Sequence, residues 1–183
     1  MLGPHALDPA DHLQLQRLAY LYCHAVDRSD MVLLRSLYTD DGYDDHGGMF
    51  SGSADDYVAW LPKMLAGVDV IRHEITNALF VVDGDRAQGQ LTNNAYHLMG
   101  DTEVVIGGRY LDTYRRDDGV WRIQHRSLAL DTFQQRPASE SGGFIGKGVT
   151  RGTKDGTDPG YALDLFTRDE RDPNPPGPQP PLR

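Results

Sequence analysis

Val70-Ile71-Arg72-His73-Glu74-Ile75-Thr76-Asn77 is the stretch that decides how this chain folds. Its β-branched residues and its alternation predict a strand, with Ile71, His73, Ile75, Asn77 and Leu79 on one face. A strand facing an ordinary core would repeat Ile or Val at those positions. One imidazole and one amide on an apolar face instead suit the wall of a pocket, held at fixed heights about 6–7 Å apart for residues i and i+2. The same residues also suit a core histidine bonded to backbone, and the stretch by itself leaves both readings open.

The sequence on either side predicts an α+β order. Asp8-Pro9-Ala10-Asp11 is a helix start, and Leu15, Leu18, Ala19, Tyr22, Ala25 and Val26 recur at helical spacing up to about Asp27. Asp30 caps a second helix from Met31 to Tyr38, and Thr39-Asp40-Asp41-Gly42 turns the chain. Tyr43 to Gly48 reads as a short strand or loop. Ser53 caps a third helix, Ala54 to about Leu65, which Pro62 should kink or end. Strands follow over 69–82, 86–99, 103–116 and 120–132, joined by tight turns such as Asp83-Gly84-Asp85 and Asp117-Asp118-Gly119. Leu91, Asn93, Ala95 and His97 share one face of the second of these, and in the last Trp121, Ile123 and His125 alternate with Arg122, Gln124 and Arg126. Gly107-Gly108 inside a strand pattern marks a bulge. Helices first and antiparallel strands after them predict a cone-shaped, curved sheet wrapped around the N-terminal helices, with a pocket inside.

The chain has 183 residues, 39% hydrophobic and 25% charged, which suits one domain with a sizeable core. A net charge of −9 argues against nucleic acid or an anionic membrane surface as a partner. The lone cysteine, Cys23, excludes an intrachain disulfide framework. The N-terminus lacks the pattern of a secretory signal, and no run is apolar enough for a transmembrane helix, so a cytoplasmic protein is expected. Residues 1–135 are read as the domain. Residues 136–183 are read as a C-terminal extension, partly docked through residues such as Tyr161, Leu163 and Phe166, with a proline-rich, disordered end.

Six motifs in order then resemble a known group. They are Ala25-Val26-Asp27-Arg28-Ser29-Asp30, Leu37-Tyr38-Thr39-Asp40-Asp41-Gly42, Arg72-His73-Glu74-Ile75-Thr76-Asn77, Val82-Asp83-Gly84-Asp85-Arg86-Ala87, Gly108-Arg109-Tyr110-Leu111-Asp112 and Asp118-Gly119-Val120-Trp121-Arg122-Ile123. Over roughly residues 10–132 the chain resembles the SnoaL-like branch of the nuclear-transport-factor-2-like superfamily, near scytalone dehydratase and hexachlorocyclohexane dehydrochlorinase. The resemblance implies an α+β barrel of cystatin-like shape. It implies that Asp27 and His73 form a catalytic dyad and that Arg126 stands in the pocket as a third catalytic residue. Asn77 matches in position, and His97 lies where a second pocket histidine is found. Tyr22 replaces a lysine of the dehydrochlorinase, which disfavours chloride as the leaving group. Tyr22 and Tyr43 then become candidate donors to the substrate.

Each of these residues also has a plainer use. Asp27 could cap a helix, Arg126 could be a solvated strand residue, and Tyr22 and Tyr43 could be core-edge tyrosines. Asp44-Asp45-His46 invites a metal, but adjacent strand residues point to opposite faces, so no metal site is expected. No phosphate-binding loop is present, and no cofactor is expected. The expected activity is that of a cofactor-independent lyase, dehydratase-like or formaldehyde-releasing, acting on a small hydrophobic, aromatic substrate as a homodimer or homotrimer. A ketosteroid-isomerase-like or polyketide-cyclase-like isomerase is the alternative. A non-catalytic small subunit of a ring-hydroxylating dioxygenase is a second one.

Overall fold

The computed structural model describes residues 8–139 and 148–163. Helix α1 spans Pro9–Asp27, α2 Met31–Ser36 and α3 Ala54–Leu65. The strands are β1 Tyr38–Asp45, β2 Ser51–Ser53, β3 Val70–Asp83, β4 Arg86–Met99, β5 Thr102–Asp117 and β6 Val120–Pro137. They form one six-stranded sheet in the order β2-β1-β6-β5-β4-β3. The sheet is curved and not closed. The long strands pair antiparallel, but β1 runs parallel to β6, which departs from the all-antiparallel expectation. No helix among the described residues is long and apolar enough to cross a membrane.

Each helix starts where the sequence places a cap. The Ala10 amide donates to Asp8 Oδ1 at 2.8 Å, the Leu33 amide to Asp30 Oδ1 at 2.9 Å, and the Asp56 amide to Ser53 Oγ at 3.1 Å. Helix α3 continues three residues past Pro62, so that proline does not end it. The apolar stripe of α1, with Leu15, Leu18, Ala19, Tyr22 and Val26, packs into the main core beside Tyr110, Tyr114, Trp121 and Ile123 of the sheet. A buried polar clasp closes one end of this core. Asp11 Oδ1 accepts from Trp121 Nε1 at 2.8 Å and from Arg116 Nη1 at 2.7 Å.

Three bulges in the long strands set which of their side chains face inward. Between Ile75 and Ala78 the β3 strand carries one residue more than β4, since Ile75 pairs with Asn93 and Ala78 with Leu91. The alternation therefore shifts. Ile71 is buried and His73 nearly so, but beyond the bulge Ala78, Phe80 and Val82 turn inward while Asn77 and Leu79 are exposed. A second shift lies between Ile123 and His125 of β6, which turns Arg126 inward and leaves His125 exposed. The third falls at Gly107-Gly108, where a side chain would not fit. A Cβ on Gly107 would come within 2.5 Å of Thr132 Oγ1, and one on Gly108 within 2.6 Å of the Ala129 carbonyl oxygen.

Part of the C-terminal extension lies against the helix ends. Arg28 Nη1 donates to the Thr153 carbonyl at 2.8 Å, and its Nε lies 3.5 Å from the Asp158 carboxylate. Lys154 Nζ donates to the carbonyl oxygens of Leu65, at the end of α3, and of Val68. Pro159–Ala162 forms one 3-10 turn, capped by Asp158, and Tyr161 meets the His24 ring edge-on at 5.8 Å. This turn contains Tyr161, one of the residues expected to dock. Phe144, Ile145, Leu165, Phe166 and the proline-rich end lie outside the described residues.

Candidate active site

Helix α1 ends at Asp27 because Arg28 caps it and Ser29 takes a positive φ of 53°. This end abuts β3 at His73. The Asp27 carboxylate grips that one residue twice. Oδ2 accepts the His73 backbone N–H at 3.0 Å, and Oδ1 lies 2.7 Å from the imidazole Nδ1. Both side chains are only 10% exposed. A carboxylate partner fixes a proton on Nδ1, which leaves Nε2 as the free, basic nitrogen.

His73 lines a cavity and Asp27 stands behind it. The cavity is walled by Val26 of α1, Tyr57, Trp60, Leu61, Met64 and Leu65 of α3, and Ile71 of β3. Asn93, Ala95 and His97 of β4, Ile106 and Tyr110 of β5, Leu128 of β6, and His46 and Met49 after β1 complete it. Its volume is about 60 Å³, several times the ~10–15 Å³ that one water molecule needs. Among the described residues, no group of three or more His, Cys, Asp or Glu is arranged to hold a metal ion.

The polar groups of this cavity have distinct states. His97 meets His73 edge to face at 5.9 Å between ring centres. Burial, reinforced by the neighbouring His73, pushes the His97 pKa down to about 4, so this ring is neutral at pH 7. Its Nδ1 is buried with no partner among the described residues. Asn93 donates from Nδ2 to the Tyr110 hydroxyl at 3.2 Å, and its own oxygen has no described partner. Burial raises the pKa values of Tyr57 and Tyr110, so both remain neutral hydroxyl groups.

Arg126 does not line the cavity. It is fully buried one layer behind, gripped by Asp112 through Nε at 2.9 Å and Nη2 at 2.6 Å. Its guanidinium lies between the rings of Tyr22 and Tyr110, 4.0 and 4.1 Å from their centres. Burial opposes its charge, but the Asp112 carboxylate outweighs that and holds the group protonated.

Tyr22 is also behind the wall. It is 1% exposed, with its hydroxyl 2.9 Å from that of Tyr57. Tyr43 faces away, with its hydroxyl 2.9 Å from Ser51 Oγ and its ring against the exposed His125. Asn77 is turned outward by the β3 bulge. The structure thus brings His73, Asp27 and His97 together and leaves Arg126, Tyr22, Tyr43 and Asn77 off the cavity surface. The residues that sequence reading missed are His46 with Asp44, Asn93, Tyr57 and Tyr110. The first pair was visible as two residues of one strand face, at i and i+2.

The low pKa of His97 carries a stability prediction. The folded protein keeps this ring neutral down to about pH 4, while the unfolded chain binds the proton from about 6.5. Its contribution is therefore intact above pH 6.5 and is lost as pH falls from there toward 4. Urea unfolding of the parent and His97→Gln proteins across that window should show the parent losing on the order of 2–3 kcal/mol more than the variant. Parallel curves would remove the buried-histidine account.

Comparison with known proteins supplies the family. The SnoaL-like domain family matches residues 9–127. An uncharacterized protein of Mycobacterium tuberculosis is 30% identical over 122 residues, which are 64% of this chain and 83% of that protein. Among solved structures, a candidate scytalone dehydratase from Novosphingobium aromaticivorans superposes with a TM-score of 0.64 at 19% identity, over 68% of this chain and 87% of that one. A hexachlorocyclohexane dehydrochlorinase from Novosphingobium barchaimii gives 0.64 at 20% identity, over 71% and 91%. These likenesses are of fold, consistent with the nuclear-transport-factor-2-like superfamily. With the match running from the start of α1 into β6, the chain belongs to the SnoaL-like domain family.

Proposed function

We propose that the chain is a cofactor-independent lyase that removes a proton from carbon with His73 and expels a neighbouring group from a small aromatic substrate. One observation carries this reading. An imidazole oriented by a carboxylate at 2.7 Å presents its free nitrogen to a cavity walled by apolar and aromatic side chains. Such a pair is a general base. The carboxylate holds the tautomer and stabilises the imidazolium that forms on proton transfer.

The carbanion or enolate so formed needs a donor. Tyr110 is well suited, because Asn93 occupies its oxygen as a donor and leaves its own proton free to point at a ligand. His97, neutral and short of one partner, can bond a ligand without adding charge. Arg126 acts at one remove. Clamped by Asp112, it holds the Tyr110 ring in place and is a positioning residue in this scheme.

The experiment is elimination from 3-hydroxy-1-phenylpropan-1-one, an aryl β-hydroxy ketone with an acidic Cα–H, followed by absorbance of the enone. Turnover that disappears in His73→Ala is the expected result. Turnover unaffected by that change would remove the reading.

We also propose that the chain self-associates through the outer face of its sheet, where Leu79 of β3 and Leu111 of β5 are 58% and 41% exposed. The two flank Gln90 in register. Light scattering at micromolar concentration should give the mass of a dimer or trimer, and Leu79→Lys should lower it. A monomer mass for the parent protein would oppose this.

A further inference from the structure

The cavity is also lined by the histidine of a second histidine–carboxylate pair. His46 follows β1 directly, and its Nδ1 lies 2.5 Å from Asp44 Oδ1. Asp44 has no exposed surface at all, and its other oxygen accepts the Tyr38 hydroxyl at 2.5 Å. The local backbone is bent to make this arrangement. Between Tyr38 and Tyr43, β1 carries five residue steps against two on β6, from Ile123 to His125. Gly42 is needed in that bend, since a Cβ there would meet the Thr39 carbonyl oxygen and Tyr38 Cβ at 2.9 Å each. The bend brings Tyr38 and Asp44 to the same inner face, and strand alternation puts His46 beside Asp44.

The ring of His46 is fixed as firmly as its nitrogen. It stacks on Tyr57 at 5.5 Å, nearly parallel at 14°, and meets Tyr110 edge-on at 6.0 Å. Only 12% of the side chain is exposed. With Nδ1 directed at Asp44, Nε2 is the nitrogen left for the cavity that His46 lines.

A second oriented imidazole is more than a single-base reaction needs. A fully buried carboxylate is costly unless a positive charge accompanies it. Of the two groups hydrogen-bonded to Asp44, only His46 can supply one, because Tyr38 is a neutral hydroxyl whose pKa burial raises, while Arg126, the register neighbour of Asp44 on β6, is bound to Asp112. The three cavity histidines therefore differ in setting. His73 is tied to Asp27 at the end of α1, His97 is held neutral by burial, and His46 is tied to Asp44, which has no exposed surface.

We propose that His46, oriented by Asp44, is the general acid of this cavity and delivers its Nε2 proton to the departing oxygen. This rests on the lyase reading above. The step balances as follows. His73 Nε2 takes the Cα proton, the C–H pair becomes the C=C bond, the Cβ–O bond breaks, and the oxygen leaves as water carrying the His46 proton. His73 ends as imidazolium and His46 as neutral imidazole, and solvent exchange restores both. A hydroxide leaving group needs such a proton and a chloride does not.

The test compares 3-hydroxy-1-phenylpropan-1-one with 3-chloro-1-phenylpropan-1-one, which share the acidic carbon and differ in leaving group. In His46→Gln the ratio of the hydroxyl to the chloro rate should fall about 100-fold, within the range that one general acid contributes. In His73→Ala both rates should fall together. The groups around His46 are Asp44 and Tyr38 from β1, Tyr57 from α3 and Tyr110 from β5, and His73 and His97 line the same cavity. A ratio unchanged in His46→Gln would overturn the assignment while leaving the lyase reading intact. Rates indifferent to His73→Ala, or wild-type protein inert toward both ketones, would instead defeat the lyase reading on which it stands.

Discussion

His73→Ala should lower turnover by about 10²–10⁴-fold, the usual contribution of a positioned general base, while the protein stays folded. The side chain is at the cavity surface and its deletion opens space there, not in the main core. Asp27→Asn should also be severe. It keeps the size of the side chain but removes the charge that stabilises the imidazolium, and its amide can present a donor where Nδ1–H needs an acceptor. It would also weaken the tie from the carboxylate to the His73 backbone N–H at 3.0 Å, so the strand itself is less firmly held. Both variants measured on the hydroxy ketone should lose kcat more than they raise KM, because the interaction develops in the transition state. A variant losing only substrate affinity would place His73 among binding groups.

Arg126→Ala should act mainly on stability. The change leaves Asp112, 3% exposed, as a buried carboxylate with only the Tyr114 hydroxyl beside it. Breaking a buried ion pair from one side costs roughly 3–5 kcal/mol, and the rings of Tyr22 and Tyr110 lose the cation between them as well. For a domain of this size that is a fall in Tm of roughly 6–20 °C. Removing both charges together, as Arg126→Met with Asp112→Leu, should recover part of the loss. Recovery stays partial because Tyr114 loses its acceptor. A single variant costing under about 1 kcal/mol in urea unfolding would show that the pair is not the keystone its burial suggests.

Much of the architecture was legible in the residues. Cap chemistry at Asp8, Asp30 and Ser53 placed the helix starts, and the Gly-containing turns at 83–85 and 117–119 placed the strand ends. What alternation could not supply was the phase beyond a bulge. Asn77 was assigned to the cavity face by counting twos from His73, and one extra residue after Ile75 reversed it. Arg126 was named for the pocket by the resemblance alone; counting from Trp121 and Ile123 turns it outward, and the β6 shift turns it inward, where it lies behind the cavity wall. A bulge depends on the partner strand as much as on its own residues, so a single strand's pattern does not reveal it, except where glycines mark it as at 107–108.

The site was legible in part for a related reason. Asp27 and His73 are 46 positions apart and meet where a helix end abuts a strand, a pairing that the resemblance implied and the residues alone did not. His46 and Asp44 were set aside as unable to share a metal ion, because adjacent strand residues diverge. That rule applies to Asp45. Asp44 and His46, two apart, lie on the same side and bond at 2.5 Å. Tyr22 was placed correctly on the buried face of α1, but its hydroxyl is spent on Tyr57 and a second layer separates it from the cavity.

The central claim is that His73 offers an unprotonated Nε2 to the cavity, and imidazole nitrogen NMR tests it directly. Long-range proton–nitrogen correlation spectra should show His73 with its proton on Nδ1, toward Asp27, and a bare Nε2. In Asp27→Asn that tautomer preference should weaken or reverse. A neutral His73 carrying its proton on Nε2 in the parent protein would contradict the account, because no base would then face the substrate.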